Sequence, residues 1–321
     1  MSLPSPNAGP TGVAFGPETA DALGTLHRPF RFFAADGLVL AGRDYRPGPG
    51  APEEGASQRR PVVCLPGLTR NSRDFEPLAA RLVGPGSLRR VVTFEFRGRG
   101  ASQYDPDTSH YTPVQELADT LVGLKALGID EITAFGTSRG GIVTMLAGLV
   151  APGVVRAAIL NDIGAEVEIA GLLRIKNYIG RPLPVGLGWD NPAAAMKFTN
   201  RAEFPRLDSA GFHRYARRLH RDVDGRPALD YDPRLAQTLA AVTAETPMPD
   251  LWAAFDTLAG VPVLVVRGSL SDILTVETVE KMKARHPGLE AIEVVDEGHA
   301  PLIEDAPTLD AVVAFLDRAG A

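Results

Sequence analysis

The chain has 321 residues, 45% of them hydrophobic, a formal net charge of −6 and an isoelectric point near 5.6. That length and apolar share fit one large domain or a core domain with an insertion, and the mild acidity excludes a general nucleic-acid surface. The single cysteine, Cys64, excludes an intramolecular disulfide and most cysteine-based metal sites; it sits in the apolar run Val62–Leu65 and reads as a small buried side chain.

Residues 1–26 are rich in Pro, Gly, Ala and Ser. They lack a basic n-region and a continuous apolar core, so they read as a disordered arm rather than a secretory signal. No apolar run approaches the roughly 18 residues needed to cross a bilayer. Without any other address, the expectation is a cytoplasmic protein with no membrane partner.

Arg31 to Tyr45 reads as two strands joined at Asp36-Gly37, a hairpin signal between apolar runs. Pro47 to Arg60 is a surface loop by its Pro/Gly/Glu content. Pro61–Leu65 is a short buried strand, Asp74–Val83 a helix and Arg90–Glu95 another strand. Pro113–Leu127 is a helix with proline at an allowed first-turn position. Ile132 to Gly136 is a strand, followed by a helix from Ser138. Val154–Leu160 is the next strand. Strands alternating with helices predict an α/β fold with a mainly parallel sheet covered on both faces, and the opening hairpin adds an antiparallel edge.

The rhythm breaks after Asp162. From Gly164 to about Ala254 there are amphipathic helices and Pro-containing loops but no convincing strand. Within Ser209–Arg221, Phe212, Tyr215, Ala216 and Leu219 share one face and Arg214, Arg217, Arg218 and Arg221 the other. This block reads as an inserted helical cap, residues 164–254, within a core of residues 27–163 and 255–321. The core resumes with the strand Val261–Gly268, a helix near Val276–Ala284, the strand Glu290–Val295 and a last helix with Leu309, Val312, Val313 and Leu316 on one stripe.

The chemistry concentrates at Gly136-Thr137-Ser138-Arg139-Gly140, a G-x-S-x-G between a strand and a helix. A serine on so sharp a turn projects its hydroxyl from the carboxyl edge of the sheet, beside the free N–H groups of a helix start. Glycines two before and two after leave room for the chain to pass. The competing reading is a plain tight turn with Ser138 as helix N-cap.

A serine nucleophile needs a histidine base oriented by a carboxylate. Of six histidines, only His299 directly follows a core strand. His213 and His220 are expected to face solvent. For the acid, Asp272 just past the Val261–Gly268 strand ranks first, ahead of Asp162 after Leu160-Asn161 and of Asp296 near His299. Asp272 could instead cap the following helix. The oxyanion of an acyl-transfer intermediate needs two backbone donors. Arg139 N–H follows the nucleophile, and Leu68 N–H lies in the loop Leu65-Pro66-Gly67-Leu68. Arg70 either contacts substrate or caps the next helix.

Together these residues resemble the α/β-hydrolase fold superfamily, in particular its bacterial capped serine hydrolases of esterase or lactonase type. Ser138, Asp272 and His299 follow that superfamily's order. Glu95-Phe96-Arg97-Gly98-Arg99-Gly100-Ala101-Ser102 is similar to its D-x-R-G-x-G-x-S segment, with Glu for Asp. Leu65-Pro66-Gly67-Leu68 resembles its H-G-x-x oxyanion loop, with Pro66 where histidine is common. Leu160-Asn161-Asp162-Ile163-Gly164 also looks familial.

The resemblance implies an α/β-hydrolase fold: a mostly parallel central sheet flanked by helices, with an inserted helical cap. Ser138 at the elbow argues against the dehalogenases and epoxide hydrolases of this fold, which use aspartate. The expected activity is cleavage of a small carboxylic ester or lactone through an acyl-enzyme. The alternatives are C–C bond hydrolysis or acyl transfer by the same residues, or a non-catalytic ligand-binding member.

No cofactor or metal is expected. The expected partner is a small acyl substrate, with no nucleic acid, and a homodimer is compatible with the sequence. The cap's aromatic candidates are Tyr178, Trp189, Phe198, Phe204, Phe212 and Tyr215, most of them expected in the cap's own core and a third or fewer in the pocket, with Trp252 at the cap exit as a substrate contact alongside Arg70. The basic run Arg201 to Arg226 could attract a carboxylate, but interleaved acids favour a solvated face.

Overall fold

The computed structural model describes residues 12–47, 59–84, 89–181, 189 and 192–321. In chain order, β1 (Val13–Phe15), β2 (Thr19–Ala20), β3 (Leu26–Phe33) and β4 (Val39–Tyr45) open the fold. β5 (Val62–Leu65), α1 (Glu76–Leu82), β6 (Val91–Glu95), α2 (Pro113–Ala126), β7 (Ile132–Thr137), α3 (Arg139–Val150) and β8 (Val155–Asn161) follow. The inserted segment carries α4 (Ile169–Tyr178), α5 (Pro192–Asn200), α6 (Ser209–Leu219), β9 (His220–Val223) and β10 (Arg226–Leu229). α7 (Trp252–Asp256), β11 (Val263–Gly268), α8 (Val276–Arg285), β12 (Leu289–Val294) and α9 (Ala306–Arg318) complete it.

The main sheet runs β1-β3-β4-β6-β5-β7-β8-β11-β12, with β2 also paired to β3. It is antiparallel from β1 to β6 and parallel from β6 through β12. The central strands β5, β6 and β7 are buried along their whole length, as strands covered on both faces must be. Alternate residues feed two cores. Val63, Leu65, Ala134, Leu160 and Val265 pack with α2, α3, α7 and α8, while Val62, Cys64, Phe135, Ile159 and Val266 pack with α1 and α9. Cys64 is fully buried, as expected.

Local chemistry sets the element ends. Thr112 caps α2, accepting from Gln115 N, with Pro113 at the first helical position. At the β3–β4 hairpin, Gly37 takes a positive φ of 85° and donates its N–H to Ala34 O.

Two expectations fail here. Residues 1–11 lie outside the described residues, but 12–26 are not a disordered arm: β1 and β2 both add to the antiparallel edge through β3. The inserted segment also contains strands. β9 and β10 form a two-stranded ribbon turned at Asp224-Gly225, both at positive φ. The Asp-Gly signal was there to read, but the strands around it are short and polar, so no apolar alternation marked them. No helix among the described residues is long and apolar enough to cross a membrane.

Candidate active site

Ser138 sits between β7 and α3 with φ 50° and ψ −111°, outside the ordinary backbone regions for an L-residue. The flanking glycines make that turn possible. A Cβ on Gly136 would come within 2.5 Å of Gly140 O, and one on Gly140 would overlap the Leu65 carbonyl. Ser138 N donates to Asn161 O at 2.9 Å, so the turn is pinned to the end of β8.

One residue beyond Asn161, Asp162 takes a left-handed φ of 56° and is fully buried. Its Oδ1 accepts from Gly268 N at 2.8 Å, and its Oδ2 accepts from Ser271 Oγ at 2.6 Å. The same Oδ2 lies 2.8 Å from His299 Nδ1, and His299 Nε2 lies 2.8 Å from Ser138 Oγ. A carboxylate on Nδ1 favours the tautomer with its proton there, leaving Nε2 free to accept from the serine hydroxyl. Carboxylate, imidazole and hydroxyl thus form one hydrogen-bonded line at the sheet's carboxyl edge.

Asp272, ranked first for the acid, is not in that line. After β11 the chain folds back: Ser271 N donates to Gly268 O, and Ser271 Oγ accepts from Ile273 N and Leu274 N. This presents Ser271 to Asp162 and turns Asp272 toward α4. There Arg174 clasps Asp272 with Nε and Nη2 at 2.6 and 2.8 Å. Burial would raise the Asp272 carboxyl, but Arg174 more than offsets it and holds it below the usual carboxylate range. Asp296, the third candidate, donates its backbone N–H to Ser269 Oγ.

Gly67 lies against Ser138, with its Cβ position 3.8 Å from Ser138 Cβ. Leu68 O accepts from Arg99 Nε at 2.8 Å, and Arg99 is itself buried and 2.8 Å from Glu116 Oε1. The loop is therefore oriented by a buried cation that sequence reasoning assigned no role. Arg139 begins α3, whose first N–H groups have no intrahelical acceptor. In the Glu95 variant of the familial segment, Oε1 accepts from Ser72 Oγ and Oε2 from Ala101 N.

A cavity of about 720 Å³ opens on Ser138 and His299. Its floor is the core loop Gly67–Arg70, and its roof and walls come from the inserted segment. Tyr178, Phe198 and Tyr215 line it, as anticipated for part of the aromatic set. Phe204 and Phe212 pack instead into the segment's own core, and Trp189 donates to Asp222 and lies under Arg217.

Trp252 is not a cavity residue. Its Nε1 donates to Glu166 at 3.1 Å, its ring packs on Phe255, and Arg285 stacks over it on the outer side. Arg70 does line the cavity, held by Asp74 and by Tyr215 OH at 2.7 Å. The helix cap there is Asn71. His220 is buried in the cavity wall rather than solvated, and burial lowers its pKa. Arg218 likewise turns inward, to Glu304.

Asp36, Asp105 and His110 approach one another closely enough to share a cation. However, Arg97 already bridges Asp36, Asp105 and Asp119 there, and none of these residues lines the cavity.

Residues 62–312 match the family model for the alpha/beta hydrolase family. The chain belongs to that family and is a hydrolase. It is 36% identical over 254 residues to a 3-hydroxybutyrate-oligomer hydrolase from Cupriavidus necator, covering 77% of this chain and 84% of that enzyme. It is 25% identical over 259 residues to a 2-(acetamidomethylene)succinate hydrolase from Mesorhizobium japonicum, covering 80% and 87%. Among solved structures, an alpha/beta hydrolase from Novosphingobium aromaticivorans superposes with a TM-score of 0.81 at 39% identity, covering 91% of this chain and 98% of that one.

Proposed function

We propose that this hydrolase cleaves small carboxylic esters or lactones through an acyl-enzyme. Ser138 is the nucleophile, His299 the general base and acid, and Asp162 the residue that orients the imidazole and stabilises the imidazolium that forms. The observation that carries this is the unbroken Ser138–His299–Asp162 hydrogen-bonded line opening on a largely apolar cavity. His299 takes the hydroxyl proton as Ser138 attacks the carbonyl, and returns it to the departing alkoxide. A water then gives a proton to His299 and attacks the acyl carbon, and His299 returns that proton to the Ser138 oxygen as the acyl–serine bond breaks and the acid leaves. The N–H groups of Leu68 and Arg139 face the growing oxyanion. A donor of this kind is worth roughly 10²–10³ in rate.

Residues 164–254 act as a cap that shapes the cavity, with Arg70 as a cationic wall within contact of substrate. The likeness to an oligomer hydrolase supports an ester substrate, and the cavity's size suits an acyl chain longer than acetate. A fluorophosphonate probe is expected to label Ser138, and a panel of p-nitrophenyl esters and lactones to show turnover. No labelling of folded protein, with Ser138→Ala as active as the parent, overturns the reading. Product analysis with an added alcohol or thiol separates hydrolysis from acyl transfer, and a β-diketone substrate tests C–C cleavage.

A further inference from the structure

Asp272 stands where the family order would put the catalytic acid, yet its carboxylate is spent on Arg174. Arg174 projects from α4 into the cavity wall and binds a second carboxylate, Glu203 Oε1, through Nη1 at 2.6 Å. Glu203 returns the connection to the core. Its backbone carbonyl accepts from Gly298 N at 2.7 Å, one residue before His299. Gly298 suits this contact, because a Cβ there would press on Glu203 at 2.9 Å. One guanidinium therefore joins the loop after β11, the helix α4 and the turn that touches the histidine loop.

We propose that Arg174 is a positioning residue: by clasping Asp272 and Glu203 it seats the inserted segment on the core and fixes both the cavity roof and the backbone that carries His299. This rests on the reading of His299 as the base.

The clasp also sets the charge beside the site. Two carboxylates face one guanidinium, and both interact electrostatically with His299. Burial raises the Glu203 carboxyl, opposed by Arg174. Among the described residues, the other charged or titratable groups facing this corner are Arg70, backed by Asp74 and Tyr215, with Arg181, Tyr178, His220 and Tyr231 on the cavity wall and Asp162 behind the imidazole.

The test is a set of pH–rate profiles on a short p-nitrophenyl ester for Arg174→Met, Arg174→Lys and Asp272→Asn. Removing Arg174 leaves two carboxylates uncompensated, so the acid limb of kcat/KM is expected to move up by about half to one pH unit. KM should rise roughly tenfold as the roof loosens, with a smaller loss in kcat. Arg174→Lys keeps the charge and should restore the acid limb but not the KM, since an ammonium cannot grip both oxygens of Asp272. Asp272→Asn removes one carboxylate, so its acid limb moves the opposite way, to lower pH.

Opposite displacements in Arg174→Met and Asp272→Asn are the signature of the clasp, because simple loosening of the fold moves both the same way. Parental profiles in both folded variants, or displacements of the same sign, overturn the proposal. If Arg174→Met does not fold, Asp272→Asn alone still decides: a parental profile and KM sink the proposal. Failure of the underlying reading looks different, namely no fluorophosphonate label on Ser138 in any of these proteins.

Discussion

The rim of the sheet and the segment above it are held by different forces. At the rim, Ser138 and Asp162 sit at strand ends joined through the backbone, Ser138 N to Asn161 O and Asp162 N to Val266 O, and the Asp162 carboxylate accepts from Gly268 N; His299 lies in the loop after β12. The inserted segment is attached in large part by side chains. Arg174 reaches Asp272, Arg73 reaches Asp230, and Arg218 reaches Glu304. Backbone bonds cross as well, Gly100 N to Asp230 O, Asp232 N to Gly98 O, Gly298 N to Glu203 O, and Glu168 N and Gly171 N to Ile273 O and Asp272 O at the start of α4. Backbone bonds form whatever the side chains are, whereas a guanidinium clasp holds only while both of its partners are present. Ser138 and Asp162, the proposed nucleophile and acid, belong to the first kind of structure, the cavity wall largely to the second, and His299 touches both through Gly298 N to Glu203 O.

The hardest test of that contrast is Ser138→Ala. Turnover of a good ester substrate should fall by about 10⁶, as for other serine nucleophiles acting in a hydrogen-bonded set, with circular dichroism unchanged. Next comes the pair of aspartates. Asp162→Asn leaves the shape but favours the wrong imidazole tautomer, and kcat should drop about 10⁴-fold, while Asp272→Asn should change it less than tenfold. Equal losses in the two would erase the distinction between rim and roof.

Arg99→Met probes the floor. It leaves buried Glu116 with only the more distant Arg139 at 3.8 Å and frees the Leu68 carbonyl, and urea unfolding should show a loss of about 3 kcal/mol. Arg174→Met, on the roof, should lose less.

The smallest effect is pH-dependent. Burial pushes the Glu297 carboxyl up to about 7 from its ordinary 4.5, although Leu302 N donates to it. Its folded value lies above its unfolded one, so the folded state binds the extra proton between those values. The resulting stability is present below 4.5 and is lost as pH rises through 7. Glu297→Gln should therefore match the parent near pH 4 and exceed it at pH 8 by roughly 1–3 kcal/mol. A variant equally stable at both pH values, relative to the parent, contradicts that account.

Most of the core was legible because period and punctuation agree there. β5, β7 and β8 are apolar runs ending at glycine or a polar pair, Ser138 directly follows β7, and His299 lies in the loop after β12. Asp162 was visible too, but second in rank, since nothing in Leu160-Asn161-Asp162 says which carboxylate the imidazole meets. That depends on Ser271 folding back toward β11, a turn decided by tertiary hydrogen bonds. Trp252 misled for a related reason: its position at the end of the insertion suggested the cavity, while its indole found Glu166 outside. The arm at 12–26 carried no apolar rhythm because an edge ribbon need bury little. Arg99 and Arg174 could not be singled out, as an arginine's partners lie far along the chain.

The cavity's split construction bears on how new specificities arise. Phe198, Leu219 and Leu229 line the cavity from the inserted segment, and Phe198 is 91% exposed. Randomised libraries at those three positions are expected to vary acyl preference while the proposed Ser138–His299–Asp162 line stays put, so a small collection of clones should yield divergent substrate ranges without repeated rescue of folding.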